Sequence, residues 1–147
     1  MADPLSATAS ILTLIGPCTA SAKTIYALIQ SFRHVSDELS QLSNEVNDLN
    51  LVLTEVEVAC RNIEHGNART REKMRFHNVL SSQVLWARLK LKELDDFTKS
   101  LITVSPTGNV HVNGLAWLRK RASASKMVDG MRRVKSGLHL LLETHTV

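Results

Sequence analysis

Four runs of apolar residues, each stepping alternately three and four positions, limit what this chain can become. In the first, Ile11, Ile15, Cys18, Ala22, Ile25, Ile29 and Phe32 keep the step without a miss. In the second, Leu39, Leu42, Val46, Leu49, Leu53, Val56, Cys60 and Ile63 do the same. The third is Leu80, Val84, Ala87, Leu91, Leu94, Thr98 and Leu101, with one polar member, and the fourth is Met127, Met131, Val134, Leu138 and Leu141. Two helical turns take about seven residues, so each set lies along one side of a helix. Each stripe must be covered by another. The pattern predicts an all-α fold, an antiparallel four-helix bundle with long helices. The length of 147 residues suits one domain, 1–147. Because the pattern continues nearly to the last residue, the chain reads as the N-terminal part of a longer multidomain protein.

Local signals place the boundaries. Asp3-Pro4 offers a cap followed by a proline in the first turn, where its missing N–H costs nothing. Ser36 can cap the second helix, with Asp37 and Glu38 favourably placed at its positive end. That helix is expected to run to about Glu64 and to stop at Gly66 in "HGN". The third starts near Thr70 and fades near Thr103. The stretch "VSPTGNVHVNG" is rich in turn formers and reads as the longest loop, with "NVHVN" too short to build a sheet alone. Asn113 can cap the fourth helix, and "ASAS" at 122–125 does not forbid that helix from being continuous. Pro17 lies inside the first helix, where it removes a backbone bond and predicts a kink near Gly16-Pro17.

The N-terminal segment carries no charge from Pro4 to Ala22. It is a poor secretory leader, because Asp3 stands where a positive charge belongs. It reaches the length of a membrane span only by counting many Ser, Thr and Ala residues, and Gly16-Pro17 interrupts it. Cys18 and Cys60 are isolated thiols on the apolar stripes and read as small buried hydrophobes of an intracellular chain.

Charge is unevenly distributed. Residues 35–64 hold seven acids against Arg61, and residues 105–147 hold seven bases against Asp129 and Glu143. The two segments can attract each other within one fold, or the basic one can meet an anionic surface. No phosphate-cradling glycine motif is present. The six histidines, His34, His65, His77, His111, His139 and His145, are scattered, which fits solvated or helix-terminal roles rather than metal ligation. Asp95 and Asp96 diverge by about 100° on a helix, and Lys92 and Lys99 are their natural partners. Only 4% of the residues are aromatic, too few for a base-stacking platform. The reading is therefore of no catalytic or metal residues, no cofactor, no nucleic-acid partner and no small-molecule substrate. Trp86 fits core or core-edge packing. Trp117, in "LAWLRKR", either sits at a membrane interface or plugs the end of the bundle.

Three stretches carry a resemblance: "MADPLSATASILTLIG", "LSQLSNEVNDLNLVLTEVE" and "AWLRKRASASKMVDGMRRVKSGLHLLL". Together they resemble the HeLo-like N-terminal domain of fungal STAND (NLR-type) and ankyrin-repeat proteins, also met at the N-terminus of azaphilone-pigment cluster proteins. The resemblance implies a helical bundle leading a larger receptor and linked to regulated cell death. It implies that the apolar first helix is released on activation, after which the domain oligomerises at a membrane, moving from cytoplasm to plasma membrane. On this chain the inserting residues would be Leu5, Ile11, Leu12, Leu14 and Ile15, with Gly16 and Pro17 as hinge. Anionic lipid would meet Arg119, Lys120, Arg121, Lys126, Arg132 and Arg133, with Trp117 at the interface. Ser6, Thr8, Ser10 and Thr13 dilute the front helix relative to a strong toxin pattern.

A second reading keeps the first helix as permanent core and makes the domain an interaction module for another copy or another helical domain. It draws on apolar residues off the main stripes: Leu51, Val52 and Val58 on the second helix, and Leu85, Leu89 and Ile102 on the third.

Overall fold

The computed structural model describes residues 4–32, 35–64, 70–104, 106–108 and 110–145, and side chains within them except those of 4–8, 63, 64, 70–74, Val104, Val110 and His145. Its elements are α1 (Pro4–Gln30), α2 (Asp37–Glu64), α3 (Thr70–Ser100), β1 (Ile102–Val104), β2 (Val110–Val112) and α4 (Gly114–His145). The four helices close on one core, and the described members of the first three predicted stripes are all buried.

The fourth stripe is displaced at its ends. Met131, Val134 and Leu138 are buried as expected, but Met127 and Leu141 are half-buried and their neighbours Val128 and Leu142 take the core positions. At about 100° per residue, Ala124, Val128, Met131 and Leu142 lie to one side of the line through Met127, Val134 and Leu141, so the core face of α4 is rotated about the helix axis from the predicted stripe. The core face of α4 instead runs through Ala124, Val128, Met131, Val134, Leu138 and Leu142.

The order of the helices around the bundle is α1, α2, α4, α3, because α1 packs on α2 and α3, and α4 packs on the same two. Consecutive helices run in opposite directions. Glu38 pairs with Arg121 and Glu45 with Arg132, so the neighbours α2 and α4 run parallel. Gly130 faces Lys90 while Gly137 faces Gln83, so α3 and α4 are antiparallel. The α2 and α3 helices sit at diagonal corners.

The caps agree with the sequence. The Leu39 N–H donates to Ser36 Oγ at 3.3 Å. The N–H groups of Leu115 and Ala116 donate to Asn113 Oδ1 at 3.1 and 3.2 Å. Both side chains satisfy donors that the first helical turn leaves without partners. Replacing Asn113 by Ala should cost about 1 kcal/mol, read as a lower urea midpoint with an unchanged slope. The cap expected at Asp3 and the stop at Gly66 lie outside the described residues.

The connection between α3 and α4 is more regular than the sequence implied. Instead of fading near Thr103, α3 ends at Ser100, and a short antiparallel hairpin comes next, with Ile102 opposite Val112 and Val104 opposite Val110. The Asn113 N–H donates to the Leu101 carbonyl at 2.6 Å and ties the hairpin base to the end of α3. Gly108 has φ +86°, a conformation that side-chain-bearing residues rarely adopt, so the turn needs a glycine there. Three-residue strands are below the length at which alternation can be read, which is why the segment passes for a loop.

Candidate functional site

Two sets of residues carry the functional expectations, one on α1 and one on α4. On α1, Ile11 and Ile15 are each only 1% exposed and are part of the core. Leu12 and Leu14 are half-buried against it. The side chain of Leu5 lies outside the described residues. Gly16 and Pro17 are exposed, and the helix runs unbroken from Pro4 to Gln30 through Pro17. Proline has no N–H, so the Thr13 carbonyl, on an exposed face, has no backbone donor four residues on. A Cβ at Gly16 would meet nothing within 4 Å, so packing does not require glycine there.

Three threonines of α1 bond carbonyls of their own helix, whereas Gln30 Nε2 donates to Ser43 Oγ of α2 at 2.9 Å. Thr13 Oγ1 donates to the Ala9 carbonyl at 2.7 Å, Thr19 Oγ1 to Gly16 at 2.9 Å and Thr24 Oγ1 to Ala20 at 2.9 Å. Lys23 is the only charged residue in α1 and makes no ion pair among the described residues. Segment Ala9–Gln30 is, by length and composition, apolar enough to cross a membrane, with a mean hydropathy of 1.3. Burial raises the Cys18 thiol pKa, and the charge of nearby Arg88 opposes the shift. Burial likewise pushes Cys60 up to about 11, helped by Glu57. Both thiols are inert at neutral pH.

The basic set on α4 is divided by its partners. Arg121 Nε donates to Glu38 Oε1 at 2.7 Å. Arg132 Nε donates to Glu45 Oε1 at 2.9 Å, and Lys135 Nζ donates to Glu45 Oε2 at 2.8 Å and lies 3.5 Å from Asp48. The acidic and basic segments therefore attract each other within the fold, and Arg121 and Arg132 are committed to α2. Among the described residues, Arg119, Lys120, Lys126 and Arg133 make no ion pair. Glu45 is the buried centre of this cluster. Burial raises its pKa most, yet the hydrogen bonds and charges of Lys135 and Arg132 together outweigh burial and hold it below the usual carboxylate value. Lys135 is raised in turn, chiefly by its bond to Glu45.

The structure does not bring the two predicted sets together. Pro17 and Cys18 share a shallow groove with Arg88 and Leu91 of α3, whose neighbour Lys90 faces Gly130. At 1.5 Å per residue, Arg119 lies roughly 16 Å from that level towards one end and Ile11 roughly 9 Å towards the other. Trp117 and Arg119–Arg121 occupy the end of the bundle beside the start of α2. There Trp117 is half-buried against the core, between Leu115 and Leu118, which are 61% and 70% exposed.

Other expectations fared unevenly. Lys92 pairs with Asp96 at 3.5 Å and Lys99 with Asp95 at 2.9 Å. Val52 is core rather than surface, and Ile102 belongs to β1 rather than α3. His77 is 1% exposed and packs beside the Phe76 ring, centroids 6.1 Å apart, so the solvated role expected for the histidines fails there. His34 and His65 lie outside the described residues. Among the described residues no group of three His, Cys, Asp or Glu side chains is placed to hold a metal ion.

The fold and these surfaces define an α-helical bundle module whose first helix is span-like and docked by its apolar stripe. Residues 2–72 match the family model for the N-terminal domain of pigment biosynthesis cluster protein PigL. The match covers α1, α2 and the first residues of α3, and it agrees with the azaphilone-pigment-cluster resemblance. No curated protein and no solved structure matches the chain.

Proposed function

We propose that the chain is an N-terminal effector module of a fungal STAND-type receptor that acts on membranes through α1. In the resting bundle the helix is docked by its apolar stripe. On activation it leaves the core and enters an anionic bilayer, and the domain oligomerises there in a cell-death or signalling response. The reading assigns no catalysis and no cofactor. The observation that carries it is a contrast between helices. The α2 and α4 helices are clamped by ion pairs, while α1 makes no ion pair among the described residues and has the length and hydropathy of a span. Thr13, Thr19 and Thr24 bond their own helix carbonyls, the arrangement that lets a hydroxyl enter an apolar medium. Of the basic residues on α4, Arg119, Lys120, Lys126 and Arg133 make no ion pair among the described residues and are free to meet a headgroup.

Flotation with vesicles of phosphatidylcholine and phosphatidylglycerol tests the proposal. Leu12 and Leu14 are half-buried, so Leu12→Lys and Leu14→Lys place charge on α1 without emptying the core. A lysine within a spanning helix is opposed by about 3 kcal/mol, roughly a hundredfold in partitioning. Binding that survives both substitutions in a folded protein overturns the proposal.

A further inference from the structure

We propose that Ser123 on α4 is the acceptor for an arginine-directed protein kinase, and that its phosphate is then held in the groove between α4 and α3. No part of this inference requires α1 to move. The residues before the serine are Arg119, Lys120, Arg121 and Ala122. Three cations, two to four positions ahead of a hydroxyl, are what the acidic peptide cleft of such a kinase attracts. Ser123 is exposed, and among the described residues nothing hydrogen-bonds its hydroxyl.

A kinase takes its substrate as extended chain, so the turns around Ser123 must unwind. From Gly114 to Ser123 no side chain of α4 is fully buried; the first that is, Ala124, is 0% exposed. Opening these turns gives up the Asn113 cap, the half-buried Trp117 and the Arg121–Glu38 pair, and it leaves the core closed. The pair is exposed on the arginine side, where such contacts hold weakly, and breaking it frees Arg121 to be read. Ser125 lies beyond the buried Ala124, and its helical neighbours are Arg121, committed to Glu38, and Asp129.

In the transfer, Ser123 Oγ attacks the γ-phosphorus of a nucleoside triphosphate held by the kinase. The bond from that phosphorus to the oxygen bridging it to the β-phosphorus breaks, the nucleoside diphosphate leaves, and the hydroxyl proton passes to a carboxylate of the kinase. The product carries close to two negative charges at neutral pH. When the helix rewinds, the residues one turn from the phosphate are Arg119, Lys120, Lys126 and Met127, which include no acid. Lys90 of α3 lines the same groove. Glu93 lines it too and opposes the phosphate, but it meets Lys90 only at 3.4 Å, so Lys90 can turn to the stronger anion. The modification thus ties the front turns of α4 to α3.

Incubating the purified chain with magnesium ATP and the catalytic subunit of cyclic-AMP-dependent protein kinase tests this, with mass spectrometry to locate the phosphate. A single phosphate should enter, at Ser123. Ser123→Ala should abolish uptake and Ser125→Ala should leave it unchanged, with circular dichroism checking each fold. Arg121→Gln loosens the same turn but removes a recognition charge, so uptake should slow roughly tenfold. Asn113→Ala, which weakens the start of α4, should speed uptake about fivefold. In the phosphorylated chain the surrounding cations should hold the second ionisation of the phosphate below its usual value of about 6. Phosphorus NMR titration reads that value, and Lys126→Gln should raise it. A chain that takes up no phosphate at Ser123, uptake indifferent to Arg121→Gln and Asn113→Ala, or a phosphoserine that titrates at the usual value overturns the inference.

Discussion

Ile15→Ala should lower the melting temperature of the bundle by about 10 °C. Ile15 is 1% exposed in a core shared with α2 and α3, so truncation removes apolar contact and leaves a void that the neighbours fill only in part. Such changes cost about 2–5 kcal/mol. For a domain of this size each kcal/mol is worth about 3 °C or slightly more. Leu89→Ala, at an exposed site, should stay within about 0.5 kcal/mol of the wild type. Differential scanning calorimetry of the two variants side by side provides the check. A shift under about 2 °C at Ile15 would mean that α1 is not docked on this core. The same variant separates stability from membrane action. Weaker docking frees α1 more often, so vesicle binding should rise as the melting temperature falls, opposite to Leu12→Lys.

Glu45→Ala should destabilise the bundle by about 1–3 kcal/mol, because it leaves Lys135 short of its main partner in a partly buried site. Asp48 at 3.5 Å retains a share of the attraction, and the half-exposed Arg132 can turn to water. Glu45→Leu, which fills the space with apolar atoms, should cost less than Glu45→Ala. The wild type carries a matching pH dependence. Glu45 is held below its ordinary value of 4.5 in the folded state. Its contribution is therefore complete above pH 4.5 and is lost as the pH falls through the lower folded value. Urea midpoints between pH 7 and pH 3 should fall more steeply for the wild type than for Glu45→Ala. Parallel curves would show that the cluster does not stabilise the fold.

How much of the fold and of the candidate surfaces is legible in the sequence can be judged residue by residue. The α1 stripe from Ile11 to Phe32 and the α2 stripe from Leu39 to Cys60 are readable because every described member faces the core. The Ser36 and Asn113 caps are readable because capping is local chemistry. The shift from Met127 to Val128 is not, since spacing alone does not say towards which side of an apolar stripe the rest of the bundle lies. The partnership of Glu45 with Lys135 shows in sequence only as an acidic and a basic segment. Which acid meets which base depends on α2 and α4 being parallel neighbours, and connection lengths do not fix that order. For the same reason the α1 and α4 candidates look like one surface in the sequence. Spacing places residues on a helix face but not at an end of the bundle.

The clasp between α2 and α4 has a consequence for how the protein comes into being. Glu38 and Glu45 meet cations that lie 83 and 87 positions later in the chain. At a ribosomal pace of about 5–20 residues per second, the early helices wait several seconds before their partners emerge. Through that interval the α1–α2 hairpin has no α3 or α4 to cover its remaining oily side. It is then a natural client for chaperones, and of all its elements α1 is the one whose composition would let a nearby lipid bilayer compete for it.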